Sequence, residues 1–409
     1  RPRFGNLLAG KVMIIVISTL IKFVVFVLLF ALPLATLLTW MERRQSAYSQ
    51  DRLGPTRAHL FTLFGKPIVL GGLLHPIADA LKMFFKESFA PDSSDHVLHR
   101  IAPLIGFVTA LIVLALIPFG PDITIAGHVI PLQIVRLDSG LLLVFAFGSL
   151  GVYGAALAGW ASNNRFALMG GIRASAQAIS YEIALGLTVV GVLMSFGSTE
   201  LSEIVHAQDG LILGFLPRWG IVVQPFAAVL FFVAAMAETK RAPFDLPEGE
   251  SEIIGYFLEY SSMGFGLFML GEFIEIVVLS GLFATLFLGG WQLPWFLGQS
   301  SVSFGAFAFD LPSWAIGILG MFIFGAKVFL LCALQIQLRW SLPRFRYDQL
   351  MHLGWKILLP CALVNIFVTG ILIWADPSLG VLAWFGVALM LFFVMVVIAG
   401  PRKVSALEH

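Results

Sequence analysis

The sequence predicts an all-α polytopic membrane protein with about nine transmembrane helices and one interfacial amphipathic helix. Of its 409 residues, 59% are hydrophobic and only 12% are charged, and the mean hydropathy is +0.93. Soluble globular proteins contain about 45–50% apolar residues, so this composition is typical of an integral membrane protein. The whole chain, 1–409, is predicted to form a single integral membrane domain, because its apolar runs recur along the full length.

Nine apolar runs are long enough to cross a bilayer as helices, which takes about 20 residues. They lie at roughly 12–40, 102–120, 141–160, 176–196, 221–238, 262–289, 314–338, 357–375 and 380–400. Eighteen lysines and arginines fall in the loops on one side of these runs, and only Arg136 and Arg218 fall in the loops on the other. Because basic loops remain cytoplasmic, we expect the N-terminus outside, although its own basic residues run mildly against this orientation.

The first cytoplasmic loop, predicted over 41–101, contains an amphipathic helix at 75–89. Its proline suits a first helical turn, and its charged residues share one face. The opposite, apolar face holds Ile77, Leu81, Phe84 and Phe85. The segment is too short to cross a membrane, so a position in the membrane interface is favoured over an ordinary surface helix.

Charged residues crowd the cytoplasmic end of the first span. They are Glu42, Arg43, Arg44, Asp51 and Arg52. Arg43 and Arg44 alone would fit a positive-inside anchor. The adjacent acids make a structured ionic entrance an equally good interpretation. The apolar segment FTLFGKPIVLGGLL that follows is interpreted as an interfacial or gating insertion.

Acidic residues are concentrated at 237–276, where eight acids accompany only two bases, Lys240 and Arg241. A charge at mid-bilayer costs about 2.5–3.5 kcal/mol, so acids that persist there are usually paired, hydrated or functional. The predicted acidic cytoplasmic loop, 238–261, begins at Glu238 and includes Asp245, Glu248, Glu250 and Glu252. A solvated loop explains the last three of these acids, but it does not explain Glu182, Glu272 and Glu275.

For Glu182, in the span at 176–196, a proton relay or a polar contact with another helix is favoured over a purely structural hydrogen bond. Like charges in a low dielectric cannot all ionise, so such acids can pass protons or respond to charge nearby. Lys327 either pairs with one of the acids or extends its amine to the interface. A second charged cytoplasmic loop, 339–356, is either solvated or docked against a peripheral protein.

The sequence shows no motif for a metal site, a nucleotide site or a nucleic-acid-binding surface. The two cysteines, Cys332 and Cys361, lie in apolar runs without CxxC spacing, and the eight histidines are scattered without an HExxH motif. This argues against zinc or iron–sulfur ligation. There is no phosphate-binding glycine motif and no basic face for nucleic acid. We therefore expect no metal, flavin or iron–sulfur cluster in this chain.

Several long motifs follow one another in a familiar order. They are MERRQSAYSQDRLGP, HPIADALKMFFKE, SYEIALGL, ETKRAPFDLPEGESE, EYSSMGFGLFMLGEF and RWSLPRFRYDQLMHLGWKILLP. Together, over residues 12–375, the chain resembles the quinone-site membrane subunit of respiratory complex I (the subunit 1/H family), as found in bacterial NADH–quinone oxidoreductase. The resemblance implies eight or nine tilted helices that abut a hydrophilic arm and form most of a long quinone chamber.

The resemblance also implies roles for individual residues. The chamber or its inner mouth would be lined by Arg43, Asp51, Arg52, Arg241, Asp245, Glu248, Glu250 and Glu252. An acidic funnel that links quinone chemistry to the proton-pumping subunits would contain Glu182, Glu238, Glu248, Glu250, Glu252 and Glu272.

By the same resemblance, the chain would be one subunit of a proton-translocating NADH:quinone oxidoreductase, with quinone as its bound substrate and no redox centre of its own. Its partners would be the other membrane subunits of complex I, the peripheral arm that carries the iron–sulfur clusters, and the lipid bilayer. It would lie in the bacterial inner membrane with a periplasmic N-terminus.

Three departures from the family's pattern stand out. Lys240 stands where asparagine is usual, which puts an additional positive charge beside the acids. His75 replaces the usual glutamine before Pro-Ile-Ala-Asp. Residues 58–72 include an insertion near the expected chamber entrance.

Two other functions fit parts of the sequence. A membrane subunit of a ferredoxin-driven or hydrogenase-type complex would share the family's fold, but the long APFDLPEGESE and LPRFRYDQLM motifs favour complex I. A stand-alone secondary transporter would show inverted repeats with broken helices in paired positions. No convincing halves of that kind are visible.

Overall fold

A computed structural model of the chain describes residues 13, 16–59, 62–63, 66–67, 69–125, 128–212, 214, 216–249, 253, 255–294, 301–304, 307–310 and 312–399. Helices dominate this part of the chain. In order they are α1 (Val16–Ser49), α2 (His75–Phe85), α3 (His96–Leu116), α4 (Gly140–Ala161), α5 (Arg165–Phe196), α6 (Leu201–Ala207), α7 (Gly220–Val223), α8 (Pro225–Glu238), α9 (Ser262–Phe287), α10 (Ser313–Ser341), α11 (Tyr347–Ala375) and α12 (Gly380–Ala399).

Seven described helices are long and apolar enough to cross a membrane, namely α1, α3, α4, α5, α9, α10 and α11. Two shorter apolar helices, α8 and the first part of α12 (Gly380–Phe392), lie at two further predicted spans. The chain is therefore mainly helical, with seven candidate transmembrane helices among the residues that the structure describes.

Several helices differ in length from the sequence prediction. α5 begins at Arg165 rather than near 176, and α11 begins at Tyr347 rather than near 357. α1 continues to Ser49 and so carries Glu42 and Arg43, which the apolar pattern places in the first loop. Its backbone remains helical because each amide still finds a carbonyl one turn earlier, a property that hydropathy does not report. α2 ends at Phe85, where Lys86 turns to extended backbone, so the helix is shorter than the predicted segment 75–89.

In the part of the chain that the structure describes, the strands form four antiparallel two-stranded pairs in the connections between helices. Their strands are β1 (Thr62–Leu63) with β2 (Lys66–Pro67), β3 (Ile123–Ile125) with β4 (His128–Ile130), β5 (Leu211–Ile212) with β6 (Leu216–Pro217), and β7 (Ser301–Phe304) with β8 (Phe307–Asp310). A hairpin satisfies its backbone groups locally, so it can close a connection between two spans without a larger sheet.

The centre of the bundle is α9, the most buried of the long helices. Apart from Glu272 and Glu275, it has apolar or small residues on all sides, as expected for a helix that has neighbours on every side. α3 packs along both α9 and α4. At Gly154 of α4, an added Cβ atom would lie 2.9 Å from the Gly106 amide nitrogen of α3. Glycine is therefore needed where these two backbones approach most closely.

One end of the bundle gathers charged and polar side chains, and we call it the charged end. It is formed where α1, α8 and α10 finish and where α3 and α9 begin. Gln45 Nε2 of α1 donates to Gln337 Oε1 of α10 at 2.7 Å. Arg339 of α10 pairs with Glu42 of α1. These contacts hold α10 against α1 at the charged end.

Lys327 lies near the other end of the bundle and forms no ion pair with a described acid. Its Nζ donates to the backbone carbonyls of Leu288 at 2.6 Å, Gly290 at 2.8 Å and Gln292 at 2.6 Å. The ammonium also lies 4.4 Å from the centre of the Trp219 ring. Lys327 therefore caps the end of α9. The structure supports neither alternative offered by the sequence, which were an acid partner and an amine extended to the interface.

Candidate functional site

The first feature of the charged end is an open depression of about 450 Å³, which we call the cleft. Its volume falls in the range of pockets that bind small molecules, about 300–1,000 Å³. Met269, Phe273 and Trp340 give it apolar walls. Its polar lining includes Glu42, Arg43, Arg52 and His75. An apolar depression with a few charged groups at one side suits an amphipathic ligand that has a polar head and an apolar tail.

Ion pairs hold the charged groups of the cleft in place. Arg43 of α1 pairs with Asp79 of α2, which attaches the amphipathic helix to the bundle. Glu42 accepts hydrogen bonds from two arginines, Arg241 and Arg339. Each of its two carboxylate oxygens accepts from one guanidinium, an arrangement of charge-assisted hydrogen bonds that fixes the position of the side chain. The polar side of the cleft is therefore fixed before any ligand arrives.

The second feature is a narrow internal cavity of about 80 Å³, which we call the acidic cavity. One water molecule needs roughly 10–15 Å³, so the space suffices for several. α3, α4, α5, α8 and α9 all contribute to its walls. Its charged lining consists of Glu182, Glu238, Lys240, Glu272 and Glu275.

Each acid of the acidic cavity has a different environment. Ser149 of α4 donates its hydroxyl to Glu182 of α5. Tyr256 donates its hydroxyl to Glu272 Oε1 at 2.9 Å. Glu238 has one fully buried carboxylate oxygen without a hydrogen-bond partner among the described residues, and it feels the charges of Glu275 and Glu182. Several carboxyl groups thus face one small space, where they act on one another electrostatically.

Arg241 stands between the cleft and the acidic cavity. Its Nη1 donates to Glu42 Oε2 at 2.7 Å on the cleft side, and its Nη2 lies 3.8 Å from Glu272 Oε2 on the cavity side. Its guanidinium lies 3.9 Å from the centre of the Phe273 ring, and Phe273 lines the cleft. One buried cation is thus shared by the acids of both features, so a charge change in one is felt in the other.

The connection between α8 and α9 carries the remaining predicted acids. Glu248 lies close enough to Tyr256 to interact with it electrostatically. The backbone carbonyl of Asp245 accepts a hydrogen bond from Arg344. Glu250 and Glu252 lie outside the described residues. Asp51, in turn, is an exposed turn residue with a φ of 50°, and it is not among the residues that line the cleft.

Two tyrosines on this connection are buried beside the acids. Burial, followed by the negative charges of Glu272 and Glu248, raises the pKa of Tyr256 well above its usual range. Burial likewise raises the pKa of Tyr260, whose ring stacks on that of His99 with 3.9 Å between the ring centres. Both phenols therefore remain neutral at physiological pH, and Tyr256 acts as a hydrogen-bond donor towards Glu272.

The connection is also anchored from outside. Gln177 of α5 donates to the backbone carbonyls of Ala237 at 2.7 Å and Phe244 at 2.8 Å. The Phe345 amide donates to the Pro243 carbonyl at 3.1 Å, and the rings of Phe345 and Phe244 stack. The charged segment at 339–356 is therefore packed, at least through Phe345, against the start of the acidic connection.

The structure thus brings the predicted site residues into two groups. Arg43 and Arg52 line the cleft, Arg241 lies between, and Glu182, Glu238 and Glu272 line the acidic cavity. Sequence reasoning names Glu42 only as part of a possible ionic entrance, names Glu275 without a role, and does not identify Tyr256. An acid adjoining Arg43 and a tyrosine beside an acidic loop were the only hints, since their partners lie far away in the chain.

Within the described ranges, no group of three or more histidine, cysteine, aspartate or glutamate side chains could hold a metal ion. Both cysteines are free thiols, and Cys332 is buried.

Comparison with known proteins identifies the family to which the chain belongs. The chain matches the model of the NADH dehydrogenase family over residues 21–370. It is 46% identical over 340 residues to an NADH-quinone oxidoreductase subunit of type H from Geobacter metallireducens, and the match covers 83% of this chain and 92% of the relative. The subunit of the same type from Flavobacterium psychrophilum is 42% identical over 356 residues, covering 86% of this chain and 96% of the relative.

A third relative, the corresponding NADH-quinone oxidoreductase subunit from Thermomicrobium roseum, is 43% identical over 370 residues, which cover 89% of this chain and 98% of the relative. The similarity therefore extends across the cleft, the acidic cavity and nearly the full length of each relative. The chain belongs to the NADH dehydrogenase family, in the group of NADH-quinone oxidoreductase subunits of type H.

Proposed function

We propose that this chain is the membrane subunit of a proton-translocating NADH–quinone oxidoreductase that forms the quinone-binding chamber and couples quinone reduction to proton translocation. The observation that carries the proposal is the position of Arg241, which contacts an acid of the cleft and an acid of the acidic cavity at once. The names of the relatives support quinone as the substrate.

The cleft is the proposed inner part or mouth of the quinone chamber. Arg43, Arg52, Arg241 and the connection with Asp245, Glu248, Glu250 and Glu252 are its proposed polar lining, with Asp51 at the rim. The apolar walls at Met269, Phe273 and Trp340 suit the isoprenoid tail, because apolar surfaces associate to leave water.

The acidic cavity is the proposed link to pumping. Reduction of a quinone to a quinol takes two electrons, supplied by iron–sulfur clusters of the peripheral arm, and two protons, one for each oxygen. Because the quinone takes its protons from groups around the cleft, its reduction changes the field at Arg241 and hence at Glu272. Glu182, Glu238 and Glu272, with the loop acids Glu248, Glu250 and Glu252, then exchange protons with the neighbouring pumping subunits.

The membrane arrangement follows from the same assignment. We propose nine membrane helices, counting the shorter α8 and α12, with a periplasmic N-terminus in the bacterial inner membrane. α2 would lie in the membrane interface, since Leu81, Phe84 and Phe85 are exposed along it.

The charged end would face the peripheral arm, and the other membrane subunits would cover part of the lipid-facing helices. A hydrogenase-type complex or a stand-alone transporter is less well supported, because the relatives compared are named quinone oxidoreductase subunits.

Arg241→Met tests the proposal in the assembled complex. It removes the cation that Glu42 and Glu272 share, so quinone reduction should fall about tenfold or more, the rate change that a barrier raised by about 1.4 kcal/mol gives. Oxidation of NADH by an artificial acceptor that takes electrons upstream of quinone should be unchanged. Arg241→Lys keeps the charge but loses the forked geometry, and we expect an intermediate rate. Wild-type quinone reduction in Arg241→Met would refute the assignment.

A further inference from the structure

Lys240 is a cation inside the acidic cavity that the proposed function does not use. It follows α8 directly and has a φ of 56°, in the left-handed region. Only 8% of the residue is exposed, and it lines the acidic cavity. The left-handed turn places it inside the bundle rather than on the surface, where lysine is usually found.

Carboxyl groups from three helices face the same space as Lys240. Glu182 comes from α5, Glu238 from α8, and Glu272 and Glu275 from α9. Lys240 interacts electrostatically with Glu238 and with Glu275. Among the described residues, its side chain makes no direct ion pair with either, so its charge acts across the cavity rather than through one fixed contact.

The other groups around the acidic cavity do not duplicate this charge. Arg241 is engaged by Glu42 and Glu272, and it also reaches Glu275 electrostatically. Tyr256 is a neutral donor, and the described lining from α3 and α4 contains no charged side chain. Glu238 is the acid whose buried oxygen has no hydrogen-bond partner among the described residues. Lys240 lies two positions after it in the sequence, and its positive charge acts on that carboxyl group.

We propose that Lys240 is the counter-cation of the acidic cavity and sets the pH range over which its carboxyl groups take up and release protons. The inference rests on the proposed function, because it assumes that these carboxyl groups carry protons during turnover. A nearby cation favours the ionised form of a carboxyl group. With Lys240 present, the cluster keeps at least one acid charged and able to accept a proton. Lys240 is a positioning residue for charge and does not itself touch the substrate.

Two variants separate the charge of Lys240 from its backbone role. Lys240→Asn removes the charge, and asparagine tolerates the left-handed conformation better than most residues. Lys240→Arg keeps the charge. Both are to be measured in the assembled complex in sealed vesicles, as NADH-driven proton pumping across about pH 5 to pH 9. This window lies above the usual carboxyl pKa values of about 4, in the range where carboxyl groups that share a low-dielectric cavity are expected to titrate.

In Lys240→Asn, the pH range of pumping should move upward by about one pH unit, because the cluster without its cation holds protons to a higher pH. Lys240→Arg should keep the wild-type range. An unshifted range in Lys240→Asn, or an equal shift in both variants, would overturn the inference. Infrared difference spectra of the purified complex provide a second readout, in which the protonated-carboxyl band of Lys240→Asn should persist to higher pH.

Failure of the inference can be told from failure of the proposed function by including Glu238→Gln. If Glu238→Gln loses pumping while Lys240→Asn is unshifted, the cavity works but Lys240 does not tune it. If Glu238→Gln and Arg241→Met both pump normally, the proposed function itself fails. In that case the infrared titration still reports whether Lys240 governs the protonation of the acidic cavity.

Discussion

Glu272 and Glu238 line the same cavity but have different partners. Tyr256 donates to one carboxylate oxygen of Glu272 at 2.9 Å, while Arg241 lies 3.8 Å from the other. Glu238 has no comparable donor to its buried oxygen among the described residues. The carboxyl groups of these two acids are therefore stabilised to different degrees by their surroundings.

The pKa of Tyr256 supports a prediction about alkaline stability. Its folded-state pKa is raised above the unfolded value of about 10, so its stabilising contribution is fully present below that value and is lost as the pH rises further. We expect the melting temperature of the purified complex to fall more steeply above about pH 10 than below it. Tyr256→Phe should flatten this fall. An identical alkaline slope in Tyr256→Phe and wild type would contradict the explanation.

At the scale of elements, α9 is anchored at the end that lies away from the charged end. There Lys327 and Gln208 donate to carbonyl groups at the C-terminus of the helix, with Gln208 Nε2 donating to Thr285 O at 2.8 Å. Midway along the helix, Glu272 and Glu275 face a cavity with space for water. The anchor therefore lies more than two helical turns from the acids.

Lys327→Met tests this anchor. The methionine keeps the apolar stem but removes three hydrogen bonds and leaves the Leu288, Gly290 and Gln292 carbonyls without that donor. We expect a loss of about 2–4 kcal/mol in stability, read as a lower melting temperature in mild detergent. Lys356→Met is the matched control, because Lys356 is exposed and should change stability by less than about 0.5 kcal/mol. Equal melting temperatures for both variants would show that the cap contributes nothing.

At the scale of the whole molecule, hydropathy predicts most of the architecture, because a helix in lipid must be apolar along its length and satisfy its own backbone. The long spans around Glu182 and Glu272 could be placed in this way. The same reasoning identified these acids as candidates, since an acid in an apolar span is costly unless it is paired or used.

Distant pairings could not be read from the sequence. Glu42 and Arg241 are 199 positions apart, and Tyr181 bonds to the Leu350 carbonyl across 169 positions. Apolar periodicity indicates which residues are removed from water, but it does not indicate which helices pack against one another. Lys327 illustrates the same limit, since only the fold shows that its ammonium meets the end of α9 rather than an acid.

Glu182→Gln tests whether the acidic cavity acts as one unit. Ser149 donates to Glu182, and a glutamine carbonyl can accept the same hydrogen bond, so the helices α4 and α5 should keep their packing. The ionisable group is lost, so quinone-driven pumping should fall about tenfold or more, in line with the contribution of a positioned proton-transfer group.

In the same Glu182→Gln complex, NADH oxidation by an artificial acceptor should stay at the wild-type rate, because electron input does not pass through the cavity. Glu203→Gln is the control, since Glu203 is an exposed acid at the opposite end of the bundle that bonds to Ser198 and should leave pumping unchanged. If Glu182→Gln pumps as well as Glu203→Gln, Glu182 does not carry protons. The route would then have to run through Glu238 and Glu275, which face the same cavity from α8 and α9.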